Sequence, residues 1–150
     1  MITAQFHSPA TCVLRADDTI AAAIVAFMTT RAHALPVVDA DQRLLGILRL
    51  DGLLKLLLPK AAALGGMTDL SFVSDTLADI RQRYAGIAGE PIAAHVQRPD
   101  HPIHPDTPLA EVLMLLERGD CELPVCERGS GRLLGVVSAI HVLELVTRRD

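Results

Sequence analysis

Aromatic residues are scarce in this chain: tryptophan is absent, tyrosine occurs once and phenylalanine three times among 150 residues. Half of the residues are nevertheless apolar, so any core must be built from Leu, Val, Ile and Ala. Positive charge is not in excess either. A formal net charge of −4 provides no basic stripe to neutralise phosphates, which speaks against DNA or RNA as a partner. The three cysteines, Cys12, Cys121 and Cys126, are odd in number and form no Cys-x-x-Cys, the usage of reduced cytosolic thiols. Long uncharged apolar runs are also missing. The greasiest stretch, Leu44 to Leu58, contains Arg49, Asp51 and Lys55 and stops at Pro59, whereas a membrane span needs about 20 nearly uncharged residues. The start, Met1-Ile2-Thr3-Ala4-Gln5, has neither a basic segment nor an apolar run, so no secretory leader is expected. A soluble, cytoplasmic protein without membrane contact is the expectation. Its length suits one domain burying roughly 70% of its unfolded surface.

What is present is a repeat. Leu35-Pro36-Val37-Val38, a polar turn and Arg43-Leu44-Leu45-Gly46-Ile47-Leu48 return about half a chain later. The second copy is Leu123-Pro124-Val125-Cys126, a polar turn and Arg132-Leu133-Leu134-Gly135-Val136-Val137. Each copy reads as two short strands joined by turn-forming residues, Asp39-Ala40-Asp41-Gln42 or Glu127-Arg128-Gly129-Ser130-Gly131. Runs apolar on both faces suit strands covered by helices on both sides.

The flanking segments repeat as well. Thr11 to Leu14 predicts a strand, and Thr19 is a suitable N-cap for a helix with Ile20, Ala23, Ile24, Phe27 and Met28 on one face. Asp51 is placed to cap a second helix, Leu53 to Leu58. In the second copy, Thr107 caps and Pro108 opens a helix carrying Leu109, Val112, Leu113 and Leu116, and Ser138 begins a last helix with Ile140, Leu143 and Leu145. Between the copies, Gly65-Gly66 breaks the chain and Ser74 caps a helix with Leu77, Ile80 and Tyr84 inward and an Asp79/Arg83 pair outward. The division expected is repeat 1 over 1–58, a connector over 59–91 with a helix near 74–84, and repeat 2 over 92–150.

Asp17-Asp18-Thr19, Leu35-Pro36-Val37-Val38-Asp39 and Gly46-Ile47-Leu48, with Pro105-Asp106-Thr107-Pro108-Leu109, Leu123-Pro124-Val125 and Gly135-Val136-Val137-Ser138, together resemble a tandem pair of CBS domains, the Bateman module. The resemblance covers about residues 5–58 and 90–147. It implies an α/β (α+β) fold of two βαββα repeats packed with pseudo-twofold symmetry, a homodimer, and clefts between the repeats. Such clefts take adenosine-containing ligands such as AMP, ADP, ATP or S-adenosylmethionine, and binding there regulates another protein without catalysis. With no enzyme or transporter domain in the sequence, that protein is expected to be reached in trans.

The resemblance also implies a site. In the family a Ser or Thr at the end of the hairpin's last strand meets phosphate, and an Asp three residues later holds the ribose. Here these positions are Ser138 and His141 in the second half, and Arg49 and Gly52 in the first, with Asp51 one residue early. Backbone near the opening strand, at Leu14 and Ile103, and before Pro-Val, at Leu35, Glu122, Leu123 and Pro124, would hold the adenine. Each residue has a plainer reading. Ser138 and Asp51 can simply cap helices, His141 can be a half-buried first-turn residue, and Arg49 a solvated strand-end arginine. The ribose carboxylate is missing from both halves, which supports an alternative: a pair without ligand, acting as a dimerisation or docking scaffold with Leu53, Leu54, Leu57 and Leu143 between subunits.

Other chemistry has less behind it. His101 and His104 flank Pro102 near Asp100, but a zinc site needs further ligands at a workable spacing. Cys126 takes Val38's place and reads as a small core residue. Ser138, His141 and Glu144 share one helix, whereas a catalytic triad converges from different elements. There is no Gly-rich phosphate loop and no Gly-x-Ser-x-Gly.

Overall fold

In both halves the hairpin forms where the repeat places it, and its register is the same in each. The structure, a computed structural model, describes residues 12–59, 75–99, 102–119 and 122–148. In the first half β1 (Leu14–Arg15) runs parallel to β2 (Ala34–Val38), which pairs antiparallel with β3 (Leu44–Arg49). In the second, β4 (Glu122–Cys126) pairs antiparallel with β5 (Leu133–Ser138). Leu35 faces Leu48 and Leu123 faces Val137, and both ladders bulge at the same step, Val37/Val38 and Val125/Cys126. Two mixed α+β units related by pseudo-symmetry result. The opening strand is shorter than expected: Cys12 and Val13 lie outside any ladder, and Thr11 lies outside the described residues. In the second half it shrinks to one parallel bridge, Ile103 to Val125, because Pro102 and Pro105 beside it carry no N–H to extend a ladder.

The helices follow the predicted faces with several corrections. In α1 (Ile20–Thr30), Thr19 Oγ1 accepts from the Ala22 amide at 3.1 Å, and Ile20, Ala23 and Phe27 are buried while Met28 is exposed. The second helix, α2, spans Leu50–Leu56, with Arg49 as its N-cap residue and Leu53 buried in the chain's own core. Asp51 is therefore not the cap; it stands in the first turn and pairs with Arg49. In α3 (Leu77–Ile87) the cap is Thr76, in a capping box with Asp79, and Leu77 is exposed. Ser74 and Gly65-Gly66 lie outside the described residues. Arg83 bonds Asp75 and the Leu57 carbonyl, not Asp79, and so ties α3 to the end of α2. The helix α4 (Leu109–Glu117) has Pro108 at its N-cap position, since Thr107 Oγ1 instead accepts from the His104 amide at 2.9 Å to close the preceding turn. Val112 and Leu115 are its buried residues, and Leu113 is exposed. The last helix, α5 (Ala139–Thr147), is capped by Ser138 as expected; it buries Val142 and exposes Ile140 and Leu143.

Three sets of backbone bonds tie the first half to the rest of the chain. Where the hairpin turns meet, the Leu44 amide donates to the Gly131 carbonyl and the Leu133 amide to the Gln42 carbonyl, both at 2.9 Å. Gln42 and Gly131 both have positive φ, 64° and 73°, which lets each turn present its carbonyl to the other. Further along, Ile47 and Gln97 exchange amide bonds of 2.8 and 2.9 Å, so the chain entering the second half extends the first sheet beyond β3. Third, the amides of Ile20 and Ala21, orphaned at the helix start, donate to the carbonyls of Glu90 and Ala88. The connector thus packs on the first half, and Ile92 joins its core.

One glycine is dispensable. Around Gly52, inside α2, an added Cβ would meet nothing within 4 Å. Gly52→Ala should stabilise the protein by about 0.5–1 kcal/mol, because alanine loses less backbone freedom in a helix. A melting temperature raised by a few degrees would show it.

Candidate functional site

Among the described residues, the clefts originate in a strand edge that the opening strands leave uncovered. β1 reaches only Val37 and Val38 of β2, and Ile103 reaches only Val125 of β4. The outer edges of Ala34–Pro36 and of Glu122–Pro124 are therefore not covered by the opening strands. Pro36 and Pro124, which lack an amide proton, are tolerated there for that reason. Facing each edge stands the end of the other half's hairpin.

Two cavities result. One, of about 290 Å³, is walled by Ile47 and Arg49 of β3, by Leu123 and Pro124 of β4, and by Arg98 and Arg118. The other, of about 230 Å³, is walled by Val136 and Ser138 of β5, by Leu35 and Pro36 of β2, and by Thr30 and Arg31 at the end of α1. Both lie near or below the lower end of small-molecule pockets, roughly 300–1,000 Å³. The pseudo-twofold exchanges their walls. Ala34 faces Arg49 across the first hairpin as Glu122 faces Ser138 across the second, so Arg49 and Ser138 hold equivalent places.

The site residues expected from the sequence divide accordingly. Arg49, Leu123 and Pro124 meet in the first cleft, Leu35 and Ser138 in the second, and Glu122 lines both. Leu14 and Ile103 are core residues at 4% and 1% exposure, and neither lines a cleft. Nor does His141, whose amide donates to Ser138 Oγ at 3.1 Å. A serine hydroxyl accepts and donates at once, so capping α5 leaves the Ser138 O–H able to reach a ligand. Asp51 is not among the residues lining either cleft; its carboxylate accepts from Arg49 Nε at 3.1 Å, and that bond holds its pKa below the ordinary value.

Arg98, Arg118, Arg31 and Thr30 were not singled out from the sequence. Arg118 and Thr30 close equivalent helices, α4 and α1, four positions before the Pro-Val strand begins. Aligning the two repeats through the helix ends as well as the hairpins would have found them. Arg31 has φ of 59° and its counterpart Gly119 φ of 111°, the left-handed exit that turns each helix end toward the opposite half.

Glu122 is the acidic member of both walls. Burial pushes its carboxyl pKa up; the His33 amide, which donates to it, and the nearby His33 ring oppose that more weakly. The charged form is thus the disfavoured one, so stabilisation from this group is present in acid and is lost as pH rises through its folded pKa. Glu122→Gln should melt higher than the parent at neutral pH, with the advantage closing as pH falls through the carboxylate range. Melting curves across that range would check the sign.

Elsewhere, the Cys126 thiol is buried and its pKa is pushed up to about 11, so it is protonated at neutral pH. Cys121, Asp100 and His101 lie outside the described residues. His104 Nδ1 is 2.9 Å from the Cys126 carbonyl oxygen. Among the described residues no three His, Cys, Asp or Glu are grouped to hold a metal, and no helix is long and apolar enough to cross a membrane.

Comparison with known proteins places this arrangement. The family model described as CBS domain matches twice, over residues 7–59 and 93–148. No curated protein matches. Among solved structures, CBSX2 from Arabidopsis thaliana superposes with a TM-score of 0.74 at 18% identity, covering 97% of this chain and 93% of that one. CBSX2 in complex with AMP gives 0.70 at 18%, covering 97% and 95%. A CBS domain-containing protein of unknown function from Kribbella flavida gives 0.72 at 22%, covering 99% of both chains. The CBS domain pair of MJ0100 in complex with 5′-methylthioadenosine and S-adenosylmethionine gives 0.65 at 16%, covering 97% and 95%. At these identities the likeness is one of fold.

Proposed function

Because this chain belongs to the CBS-domain family, with two copies in tandem, we propose that it is a non-catalytic regulatory module that binds an adenosyl ligand between its repeats. The observation carrying this reading is the pair of clefts in which one half's open Pro-Val strand edge faces the strand end of the other half. An open edge offers backbone donors and acceptors to a purine, and Leu35 or Leu123 with the adjacent proline offers an apolar wall. The Ser138 hydroxyl, or the guanidinium of Arg49, meets the ribose-phosphate end. Two superposable relatives are bound to ligands of this class, AMP in one and S-adenosylmethionine with 5′-methylthioadenosine in the other. The site has no ribose carboxylate at Gly52 or His141, so phosphate and adenine contacts must carry more of the affinity.

A thermal-shift screen with AMP, ADP, ATP, NAD and S-adenosylmethionine tests the reading. Ligand at about 100 times its dissociation constant should add roughly 2.7 kcal/mol of stability. Ser138→Ala should weaken binding in its cleft several-fold. No shift with any of them at millimolar concentration would reject the reading.

A second reading, a scaffold that self-associates without ligand, is favoured by one observation. Ile140, Leu143 and Val146 form an exposed apolar stripe along α5, at 66%, 58% and 68% exposure, and Leu54 on α2 is exposed as well. Leu53 is not part of such a face, being 4% exposed within the first core. A homodimer through these helices is compatible with ligand binding; a sedimenting monomer would remove this second reading.

A further inference from the structure

The pseudo-twofold that relates the clefts does not relate their charge. Where the second cleft has Ser138, the first has Arg49, and where the second has Thr30, the first has Arg118. Arg98, on the strand that joins β3 through Gln97, adds a third guanidinium to the first cleft. The second cleft has Arg31 as its one arginine among the described residues. Glu122 lines both, so its charge cancels from the comparison. Thr30's hydroxyl donates to the Ala26 carbonyl of its own helix at 2.8 Å, and this further reduces the polar capacity of the second cleft.

We propose that the two clefts are specialised for ligands of different charge: the Arg49–Arg98–Arg118 cleft takes an adenosine di- or triphosphate, and the Ser138 cleft an uncharged or singly charged adenosyl compound. This rests on the adenosyl-binding reading above and assigns the ligand class to each cleft. Guanidinium groups hold phosphate oxygens through forked, charge-assisted hydrogen bonds, and they are less costly to desolvate than ammonium groups. Three of them around one cavity of about 290 Å³ also oppose two local negative charges, Glu122 in the wall and Asp51 beside Arg49. The balance is one positive charge, but three guanidinium forks stand around the cavity, and a second or third phosphate can engage donors that the first does not reach. A ligand with a single phosphate would leave part of those donors unused. Conversely, the second cleft offers one hydroxyl and one arginine, too little to desolvate a triphosphate favourably.

The test is calorimetric titration of the full chain with AMP, ADP and ATP in chelator-containing buffer, repeated at higher salt. The variants are Arg118→Thr and Arg49→Ser, which copy the second cleft into the first, and Arg98→Gln at an exposed position that leaves the fold intact. ATP should bind at least about 10-fold more tightly than AMP, with an advantage that shrinks as salt rises. Each arginine variant should reduce that ratio several-fold, and Arg98→Gln keeps the result interpretable if either of the others unfolds. Inorganic triphosphate should compete with ATP. Equal affinities for AMP and ATP, or an ATP preference unchanged in Arg98→Gln and Arg118→Thr, would overturn the charge assignment while leaving adenosyl binding in place. Binding of none of the three would remove both.

Discussion

Ile92→Ala should lower stability by about 3 kcal/mol, within the usual range for truncating a fully buried aliphatic residue. For a chain of this size that is a fall of roughly 6–12 °C in melting temperature. Ile92 lies in a short 3-10 turn after the connector helix, yet it is 0% exposed and packs in the first half's core with Leu14, Ile20 and Phe27. Its amide donates to the Asp18 carbonyl at 2.9 Å. Alanine keeps that bond, so the loss measures packing alone. Leu77→Ala, on the exposed side of α3, should stay within about 0.5 kcal/mol. Urea unfolding of both variants separates a connector docked as part of the core from one that merely links two domains; equal, small effects would refute the docking.

Gly46→Ala should be nearly as damaging despite adding one methyl group. A Cβ at that position would stand 2.5 Å from the Gln97 carbonyl oxygen and 2.7 Å from Val96 Cγ1. The first neighbour is backbone and cannot swing aside, so the added strand must move from β3 and strain the Ile47–Gln97 bonds. Overpacking of this kind costs about 1–3 kcal/mol. Because Gln97 and Arg98 wall the arginine cleft, the same variant should weaken ATP binding several-fold. Gly52→Ala, which meets open space, is its control. A Gly46→Ala protein as stable as the parent would mean that residues 96–98 do not pair with the first sheet.

Much of this architecture was legible because it occurs twice. The Leu-Pro-Val hairpin, the Thr19 cap and the Ser138 cap all rest on local chemistry: turn residues, a strand apolar on both faces, a hydroxyl before an apolar helix. Each is where the sequence places it. The misplacements are tertiary in origin. Asp51 reads as a cap, but the helix already starts at Leu50, and Asp51 in its first turn pairs with Arg49 two residues before it. Thr107 reads as a cap, but its hydroxyl closes the turn at His104. Leu77, Met28, Leu113 and Leu143 follow helical spacing, yet the stripes that meet the small sheets are narrower than the apolar faces. In the site, the residues at strand ends were visible through the family pattern. Arg118 shows only when the helix ends of the two repeats are aligned as well as the hairpins, and Arg98, outside any motif, reaches the cleft only when one half folds over the other.

An amide-resolved NMR titration locates bound adenosyl ligand residue by residue and so tests whether it occupies the clefts between the repeats. Adding AMP, and then ATP, to the isotope-labelled chain should shift the amides of Leu35, Glu122, Leu123 and the residues following Arg49 and Ser138, with the helix faces of α2 and α5 unaffected. Saturating shifts confined to those strand ends are the predicted result. Shifts clustered on the outer helices, or no shifts at millimolar nucleotide, would contradict it.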